Sequence, residues 1–208
     1  DGTPFAEGET MRNAALADTF RAIAKGGPDV FYKGPIAQAI VDAVAKAPKQ
    51  KGGMTRQDLA AYQPKVRPGL CAPYRGYRVC SMEAGNGGIT VLQILGMLRR
   101  FSPEELKPNT LSEVHLVSEA EKLAYADRVA YLGDPDFVTA PVKGLLDETY
   151  LTQRAAQIDK SRALTGVKAG MPPVKQAMDF APQRTPVAHG TSHLTVVDDK
   201  GDVVSMTT

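Results

Sequence analysis

The last 20 residues of the chain, H-G-T-S-H-L-T-V-V-D-D-K-G-D-V-V-S-M-T-T, limit the possible folds more than any other segment. Apolar-rich runs on both sides of an Asp/Gly turn predict a β-hairpin with strands over 192–197 and 202–208, and Gly201 can adopt the positive φ that such a turn needs. A two-stranded hairpin is only marginally stable in water unless further strands or a packed layer support it. Since the rest of the chain offers few strands, we expect the sequence to be a piece of a larger protein.

Most of residues 1–164 has the apolar periodicity and capping residues of helices. Residues 165–190 are rich in proline and glycine, show little periodicity, and predict a linker or a mobile loop. The chain therefore divides into three predicted parts, 1–164, 165–190 and 191–208, and its class is α+β. The predicted helices are 12–25, 35–47 with Pro35 first, 55–62 with a Thr55/Asp58 capping box, 88–100, 111–132 capped by Thr110, and 147–162.

The two cysteines, Cys71 and Cys80, flank a second predicted hairpin with Arg75-Gly76 as its two-residue loop. In that register Pro73 falls in a non-hydrogen-bonded pair, where its missing N–H costs nothing. Cys71 and Cys80 also face each other in such a pair, with Cα atoms close enough for a disulfide. The register favours a disulfide and hence an oxidising compartment; two free buried thiols in a cytosolic protein are the alternative.

Composition excludes several classes of function. The 25 basic and 23 acidic residues are dispersed, so no dense basic stripe indicates a nucleic-acid site. No apolar run approaches the roughly 20 residues of a membrane span. The three histidines, His115, His189 and His193, are too few and badly spaced for a metal site, and no phosphate-binding or dinucleotide-binding glycine motif is present. We expect neither a metal nor a cofactor.

Thr191 is the candidate nucleophile, although a threonine at the start of a strand is by itself unremarkable. A long flexible leader, Gly190 on the acyl side and a hydroxyl residue next suit an N→O acyl shift, in which the Thr191 hydroxyl attacks the Gly190 carbonyl. Hydrolysis of the ester then frees Thr191 as a new N-terminus. Its α-amine, with a pKa of about 8, can act as base for its own hydroxyl.

The segment T-S-H-L-T-V-V-D-D-K-G-D-V-V-S-M-T-T closely resembles the start of the small subunit of gamma-glutamyltranspeptidases (glutathione hydrolases). Upstream, G-G-P-D-V-F-Y-K-G-P-I-A-Q-A-I, D-L-A-A-Y, Y-R-G-Y-R-V, G-G-I-T-V-L-Q-I-L and A-D-R-V-A-Y-L-G-D-P-D-F resemble the late large subunit. The resemblance implies an N-terminal nucleophile hydrolase with an αββα sandwich, of which this chain is a helix-rich and incomplete part. Residues 1–164 would be the late large subunit, 165–190 the linker to the processing site, and 191–208 the first hairpin of the small subunit.

The resemblance also implies a function. Such a precursor cuts itself between Gly190 and Thr191, and Thr191 then forms an acyl-enzyme with γ-glutamyl amides such as glutathione. Thr207 and Thr208 would be neighbours of the site, because the supporting hydroxyl falls one position further on. The substrate-binding residues are expected outside this fragment, which should be inactive without the remaining parts of the two subunits. Family members are typically periplasmic or secreted in bacteria. A cephalosporin or glutaryl acylase, or a non-catalytic relative, are the alternatives.

Overall fold

The structure is a computed structural model that describes residues 4–48, 52–82, 87–174 and 191–207. The chain forms two compact units, residues 1–66 and 67–208. Helices dominate both units, and the second also contains strands. The predicted α+β class is therefore confirmed. The predicted division at 164 and 190 concerns a cut precursor and stays a prediction.

The first unit consists of short helices, and glycine, proline and capping residues set several of their ends. Gly27 takes φ 70° after the first helix, and Pro28 then starts a five-residue helix that the sequence pattern did not predict. The predicted capping box is present, with the Thr55 hydroxyl accepting from the Asp58 amide and the Asp58 carboxylate accepting from the Thr55 amide. The helices are α1 (Ala14–Gly26), α2 (Pro28–Tyr32), α3 (Pro35–Ala45, with Pro35 first as predicted) and α4 (Arg56–Ala61).

The main core of the second unit lies among three of its helices. These are α5 (Gly88–Leu98), α6 (Leu111–Tyr131) and α8 (Glu148–Ala155), with the short α7 (Val142–Leu145) before α8. Gly96 allows α5 and α8 to pack closely, because a Cβ at residue 96 would come within 2.6 Å of Leu151 Cδ1. Burial of this apolar surface stabilises the unit. The buried side chains are those of Met97, Leu98, Leu116, Ala120, Leu123, Ala124, Leu151, Ala155 and Ile158.

The cysteine hairpin has the predicted register. Strand β1 (Leu70–Tyr74) pairs antiparallel with β2 (Tyr77–Ser81), so that Cys71 lies opposite Cys80 with Cα atoms 4.0 Å apart. The loop residues Arg75 and Gly76 both have positive φ, 49° and 86°, as a tight hairpin turn requires. A disulfide joins the two cysteines, which are therefore not free thiols.

The closing hairpin also follows the prediction. Strand β3 (His193–Val197) pairs antiparallel with β4 (Val203–Thr207), and Gly201 has φ 85° in the turn. Asp198 Oδ1 accepts hydrogen bonds from the amides of Lys200 and Asp202, which fixes the turn. Every residue of both strands is exposed. Within the described residues the two hairpins form separate two-stranded sheets.

The last helix is shorter than predicted. Helix α8 begins after its cap Asp147 as expected but ends at Ala155, seven residues before the predicted end at Arg162. Directly after Ala155 the amides of Gln157 and Ile158 donate to carbonyls only three residues back, and Asp159 Oδ1 then accepts hydrogen bonds from both the amide and the hydroxyl of Ser161. An aspartate side chain that bonds two residues ahead competes with a continuing helix.

Candidate active site

Thr191, the predicted nucleophile, lies exposed just before strand β3. Gly190 lies outside the described residues, so the structure covers one side of the predicted cleavage bond. Two residues after Thr191 the chain enters the ladder, because His193 pairs with Thr207 at the open end of the hairpin. Backbone pairing therefore holds the chain immediately downstream of Thr191.

A polar cluster covers one face of this hairpin. His193 Nδ1 lies 2.8 Å from the Thr207 hydroxyl, and His193 Nε2 lies 3.0 Å from the Ser205 hydroxyl and 3.4 Å from that of Thr195. A hydroxyl can both donate and accept a hydrogen bond, so these side chains can pair with either ring nitrogen of His193. The opposite face is apolar and carries Leu194, Val196, Val204 and Met206.

Sequence reasoning considered His193 only as a metal ligand and gave Thr207 no role beyond that of a neighbour. The structure brings the two side chains together. The signal was available, because residues at 193 and 195 share a face with their cross-strand partners at 207 and 205 once the hairpin register is known. These contacts can fix the orientation of the His193 ring, which lies two residues after Thr191.

A second polar cluster, which sequence reasoning missed, is buried in the helical core around Asp127 of α6. The carboxylate is 0% exposed and accepts four hydrogen bonds. Oδ1 accepts from Arg154 Nη2 at 3.0 Å and the Gly170 amide at 2.8 Å; Oδ2 accepts from Gln93 Nε2 at 3.0 Å and the Tyr150 hydroxyl at 2.7 Å. Burial, together with the hydrogen bond to Asp127, raises the pKa of the Tyr150 hydroxyl far above its usual value.

The residues that follow α8 pack on this cluster. We call residues 164–174 the strap; it contains neither helix nor strand. At its start the Leu164 amide donates to Glu119 Oε2 at 2.8 Å, and Lys122 Nζ donates to Glu119 Oε1 at 2.6 Å. Burial disfavours the charged form of Glu119, but these hydrogen bonds hold the pKa of its carboxyl below the usual range.

A cavity of about 530 Å³ lies between the strap and the side chains of Leu123, Tyr150 and Arg154. Arg154 does not offer it a free charge. Its Nη2 donates to the Leu123 carbonyl, to Asp127 and to the Lys168 carbonyl. Arg154 is therefore not an uncompensated cation for a substrate carboxylate in this cavity.

The part of the chain that the structure describes holds no group of three or more histidine, cysteine, aspartate or glutamate side chains placed to bind a metal ion. None of its helices is both long and apolar enough to cross a membrane. Among these described residues, two polar features stand out. One is the hairpin that follows Thr191, and the other is the pair of buried carboxylates, Glu119 and Asp127, that bind the strap.

Solved structures resemble this fold. The gamma-glutamyltranspeptidase of Helicobacter pylori superposes with a TM-score of 0.70 at 31% identity, covering 83% of this chain and 49% of that one. A cephalosporin acylase from Bacillus halodurans superposes with a TM-score of 0.68 at 33% identity, covering 79% of this chain and 30% of that one. The fold is thus part of an N-terminal nucleophile hydrolase.

The sequence narrows the class to a family. The profile of the gamma-glutamyltranspeptidase family matches residues 1–208, and the chain belongs to that family. The glutathione hydrolase proenzyme of Escherichia coli K12 is 38% identical over 211 residues, which cover 100% of this chain and 34% of that protein. A proenzyme of the same name from Bacillus subtilis 168 is 35% identical and covers 100% and 36%. The chain spans about a third of the length of these curated relatives.

Proposed function

We propose that the protein to which this chain belongs is a self-processing gamma-glutamyltransferase and glutathione hydrolase. The observation that carries the proposal is the position of Thr191, directly before a hydrogen-bonded hairpin, in a chain whose relatives are named proenzymes. Thr191 is both the residue that cuts the precursor and the residue that later attacks the substrate. The remaining binding groups belong to parts of the protein outside these 208 residues.

The first reaction is an N→O acyl shift at Gly190–Thr191. The Thr191 hydroxyl oxygen adds to the Gly190 carbonyl carbon, the C–N bond breaks, and the nitrogen takes the proton that the hydroxyl gave up. Water then hydrolyses the ester, leaving a carboxylate on Gly190 and an α-amine on Thr191. A threonine with a free α-amine carries the nucleophile and its base on one residue.

The second reaction repeats this chemistry on a substrate. The Thr191 hydroxyl attacks the γ-carbonyl of a γ-glutamyl amide such as glutathione, and the α-amine of Thr191 takes the hydroxyl proton. The amine then passes this proton to the leaving nitrogen as the amide C–N bond breaks. The resulting γ-glutamyl ester passes to water in hydrolysis or to an amino-acid amine in transfer. Neither step requires a cofactor.

The test uses the full-length precursor and follows its conversion into two polypeptides, with N-terminal sequencing of the shorter one. The wild type should yield a chain beginning at Thr191. Thr191→Ala should remain uncut and release no product from a γ-glutamyl anilide. Ser192→Ala, which removes a neighbouring hydroxyl, is the matched control and should be cut. Normal cleavage of Thr191→Ala would refute the assignment.

The structural likeness to a cephalosporin acylase favours a second candidate with the same nucleophile and a different acyl group. A panel of amides on the processed full-length enzyme separates the two. Rapid cleavage of glutaryl amides with no cleavage of γ-glutamyl amides would support the acylase. A precursor that never exposes Thr191 would instead support a non-catalytic relative.

A periplasmic or secreted location is part of the proposal, and its support is the Cys71–Cys80 disulfide, since such bonds persist mainly in oxidising compartments. The proposed function also implies the partners: glutathione as substrate, and the two subunits of one precursor as each other's partner. It implies no nucleic acid. Fractionation of cells that produce the full-length protein tests the location. Recovery of the protein with the cytosolic fraction and with both thiols reduced would contradict it.

A further inference from the structure

The Cys71–Cys80 disulfide lies on the outward face of its hairpin. Successive side chains of a strand point to opposite faces, so the two cysteines share one face with Pro73 and Arg78. Cys80 is exposed, as are both of these neighbours, whereas Cys71 is half-buried. The disulfide is therefore a surface bond, and Cys80 is its more accessible end.

Other contacts hold the hairpin in place. On its inner face, Leu70 packs against a cluster of buried side chains that includes Ile89, and Tyr74 packs against the main core. At the loop, the Arg75 guanidinium donates to the Phe101 carbonyl at 3.1 Å. These contacts, together with five residue pairs and a tight turn, fix the register. The hairpin should therefore stay folded when the disulfide opens.

The ring that the disulfide closes is short, because its cysteines are nine residues apart in the chain. In the chain-entropy account, a disulfide stabilises a fold less when the loop that it closes is shorter. The position of Cys71 and Cys80 thus adds little to the stability that the packed inner face already gives.

A surface disulfide that the fold does not need can exchange with thiols. In this reaction a thiolate attacks one sulfur and expels the other, and access decides which sulfur is attacked. Exposed disulfides are more easily reduced than enclosed ones, and they include the regulatory and catalytic ones. In this hairpin, access favours attack on Cys80 Sγ, and Cys71 is then the departing thiolate.

Arg78 gives this surface a preference for anionic thiols. It lies two residues before Cys80 on the same face of β2, about 7 Å away along the strand. A nearby cation favours a thiolate and attracts a thiol that carries carboxylates. In water, one charge at this distance changes a rate about threefold. The ligand class is thus a small thiol with net negative charge, for which glutathione is the probe.

We propose that Cys71–Cys80 is a thiol-exchange site, in which Cys80 exchanges with an anionic low-molecular-weight thiol and Cys71 is the resolving thiol. The thiolate of glutathione bonds to Cys80 Sγ, the S–S bond breaks, and its electron pair leaves with Cys71 Sγ. The Cys71 thiolate can then attack Cys80 Sγ, which expels the glutathione thiolate and restores the disulfide.

A second glutathione thiolate can instead attack the glutathione sulfur that is bound to Cys80. This route expels the Cys80 thiolate, releases oxidised glutathione, and leaves two protein thiols, which take up protons from water. Two glutathione thiols are oxidised and one protein disulfide is reduced. The site goes beyond the proposed function, since no step uses Thr191.

The first experiment uses the full-length protein with Thr191→Ala, so that the protein does not hydrolyse glutathione during the measurement. The folded protein is incubated with millimolar glutathione, free thiols are alkylated, and mass spectrometry counts the alkylated cysteines. Both cysteines should become alkylated while the near-UV circular dichroism stays unchanged, and neither should be alkylated without glutathione. A disulfide that stays closed until urea unfolds the protein would overturn the inference. Loss of the dichroism on reduction would also overturn it, because the bond would then hold the fold.

Single-cysteine variants of the same protein identify the attacked sulfur. Cys71→Ser leaves Cys80 as a lone thiol, and Cys80→Ser leaves Cys71. Oxidised glutathione converts a lone thiol into a mixed disulfide, which intact mass measures over time. Because Cys80 is the exposed one, Cys71→Ser should react at least about tenfold faster than Cys80→Ser. Equal rates, or faster reaction at Cys71, would refute the assignment of Cys80 as the exchanging sulfur.

The charge preference is tested in the Cys71→Ser protein. Arg78→Gln should slow its reaction with oxidised glutathione about threefold and leave its reaction with uncharged hydroxyethyl disulfide unchanged. Arg21→Gln, at an exposed arginine of α1, is the matched control and should alter neither rate. No slowing, or equal slowing with both reagents, would overturn the preference for anionic thiols. A wild-type precursor that is never cut before Thr191 would refute the proposed function and leave these results unaffected.

Discussion

Asp127 shows how one buried side chain can organise a helical core. An ionised carboxylate has about four acceptor sites, and here each oxygen accepts two hydrogen bonds at 2.7–3.0 Å. Arg154 compensates the charge, and it is itself only 3% exposed. Removing either partner would leave the other charged and buried, which costs far more than the pair contributes.

We therefore expect Arg154→Met to lower the free energy of unfolding of the full-length protein by about 3–5 kcal/mol, because it strands the Asp127 carboxylate without its counter-ion. Urea denaturation followed by circular dichroism measures the change. Arg21→Met is the control, since the Arg21–Asp18 pair on α1 is mostly exposed and should contribute less than about 1 kcal/mol. Equal losses in the two variants would contradict the account of the buried pair.

Glu119 predicts a dependence of stability on pH. Although burial disfavours its charged form, the hydrogen bonds from Lys122 and Leu164 hold the pKa of the Glu119 carboxyl below its usual value of 4.5 in the folded protein. The stabilisation is therefore present above about pH 4.5 and is lost as the pH falls through the folded pKa. Glu119→Gln should therefore cost most near pH 7, and its difference from the wild type should shrink below about pH 4.5.

Urea unfolding at several pH values checks this expectation. Glu121→Gln, which removes an exposed carboxylate from the same helix, is the control. A difference between Glu119→Gln and the wild type that stays constant from pH 7 to pH 3 would show that Glu119 contributes through shape rather than charge.

At the scale of elements, the hairpins and capped helices were predictable because their signals are local. A two-residue loop at Arg75-Gly76 specifies a register for the flanking residues, and the structure has it pair for pair. The early end of α8 was not predictable from periodicity, since the side-chain bonds within 159–161 favour a turn where the prediction continued the helix. The strap was predictable only as irregular chain, because its anchors lie more than 30 residues away.

The N-terminal cap of α6 gives a prediction at this scale. The Thr110 hydroxyl accepts from the Glu113 amide at 3.2 Å and satisfies one of the donors left open at a helix start. Thr110→Ala should lower the free energy of unfolding by about 1 kcal/mol, whereas Thr110→Ser should retain most of it. Thermal unfolding of the two variants decides, and equal destabilisation would mean that the threonine methyl group matters more than the cap.

At the scale of the whole molecule, the sequence indicates the candidate nucleophile more directly than it indicates the residues that pack together in the folded unit. Thr191 emerged from its neighbour Gly190 and from the family resemblance, both of which are readable along the chain. The buried cluster did not, because Gln93, Asp127 and Gly170 approach each other only in the folded unit. A spacing that puts Ala120, Leu123, Ala124 and Asp127 on one buried helix face was the available hint.

The closing hairpin predicts a difference between this chain and the full-length protein. Val196, Val197 and Val204 are each about 60% exposed, so the strands lack a covering layer within the described residues. A hairpin without such support opens readily. We expect the amides of β3 to exchange hydrogen at least about a hundredfold more slowly in the full-length protein than in residues 1–208. Equal exchange would show that nothing further covers the hairpin.

The disulfide has a practical consequence. The 208 residues contain two cysteines, and both are consumed in the Cys71–Cys80 bond. A cysteine introduced into this region by mutation would be its only reactive thiol, so a spectroscopic label could be attached at one chosen point without altering the native bridge. Two such cysteines, one on the strap and one on the closing hairpin, would carry a pair of labels that reports, in real time, whether the two segments separate when the backbone is severed.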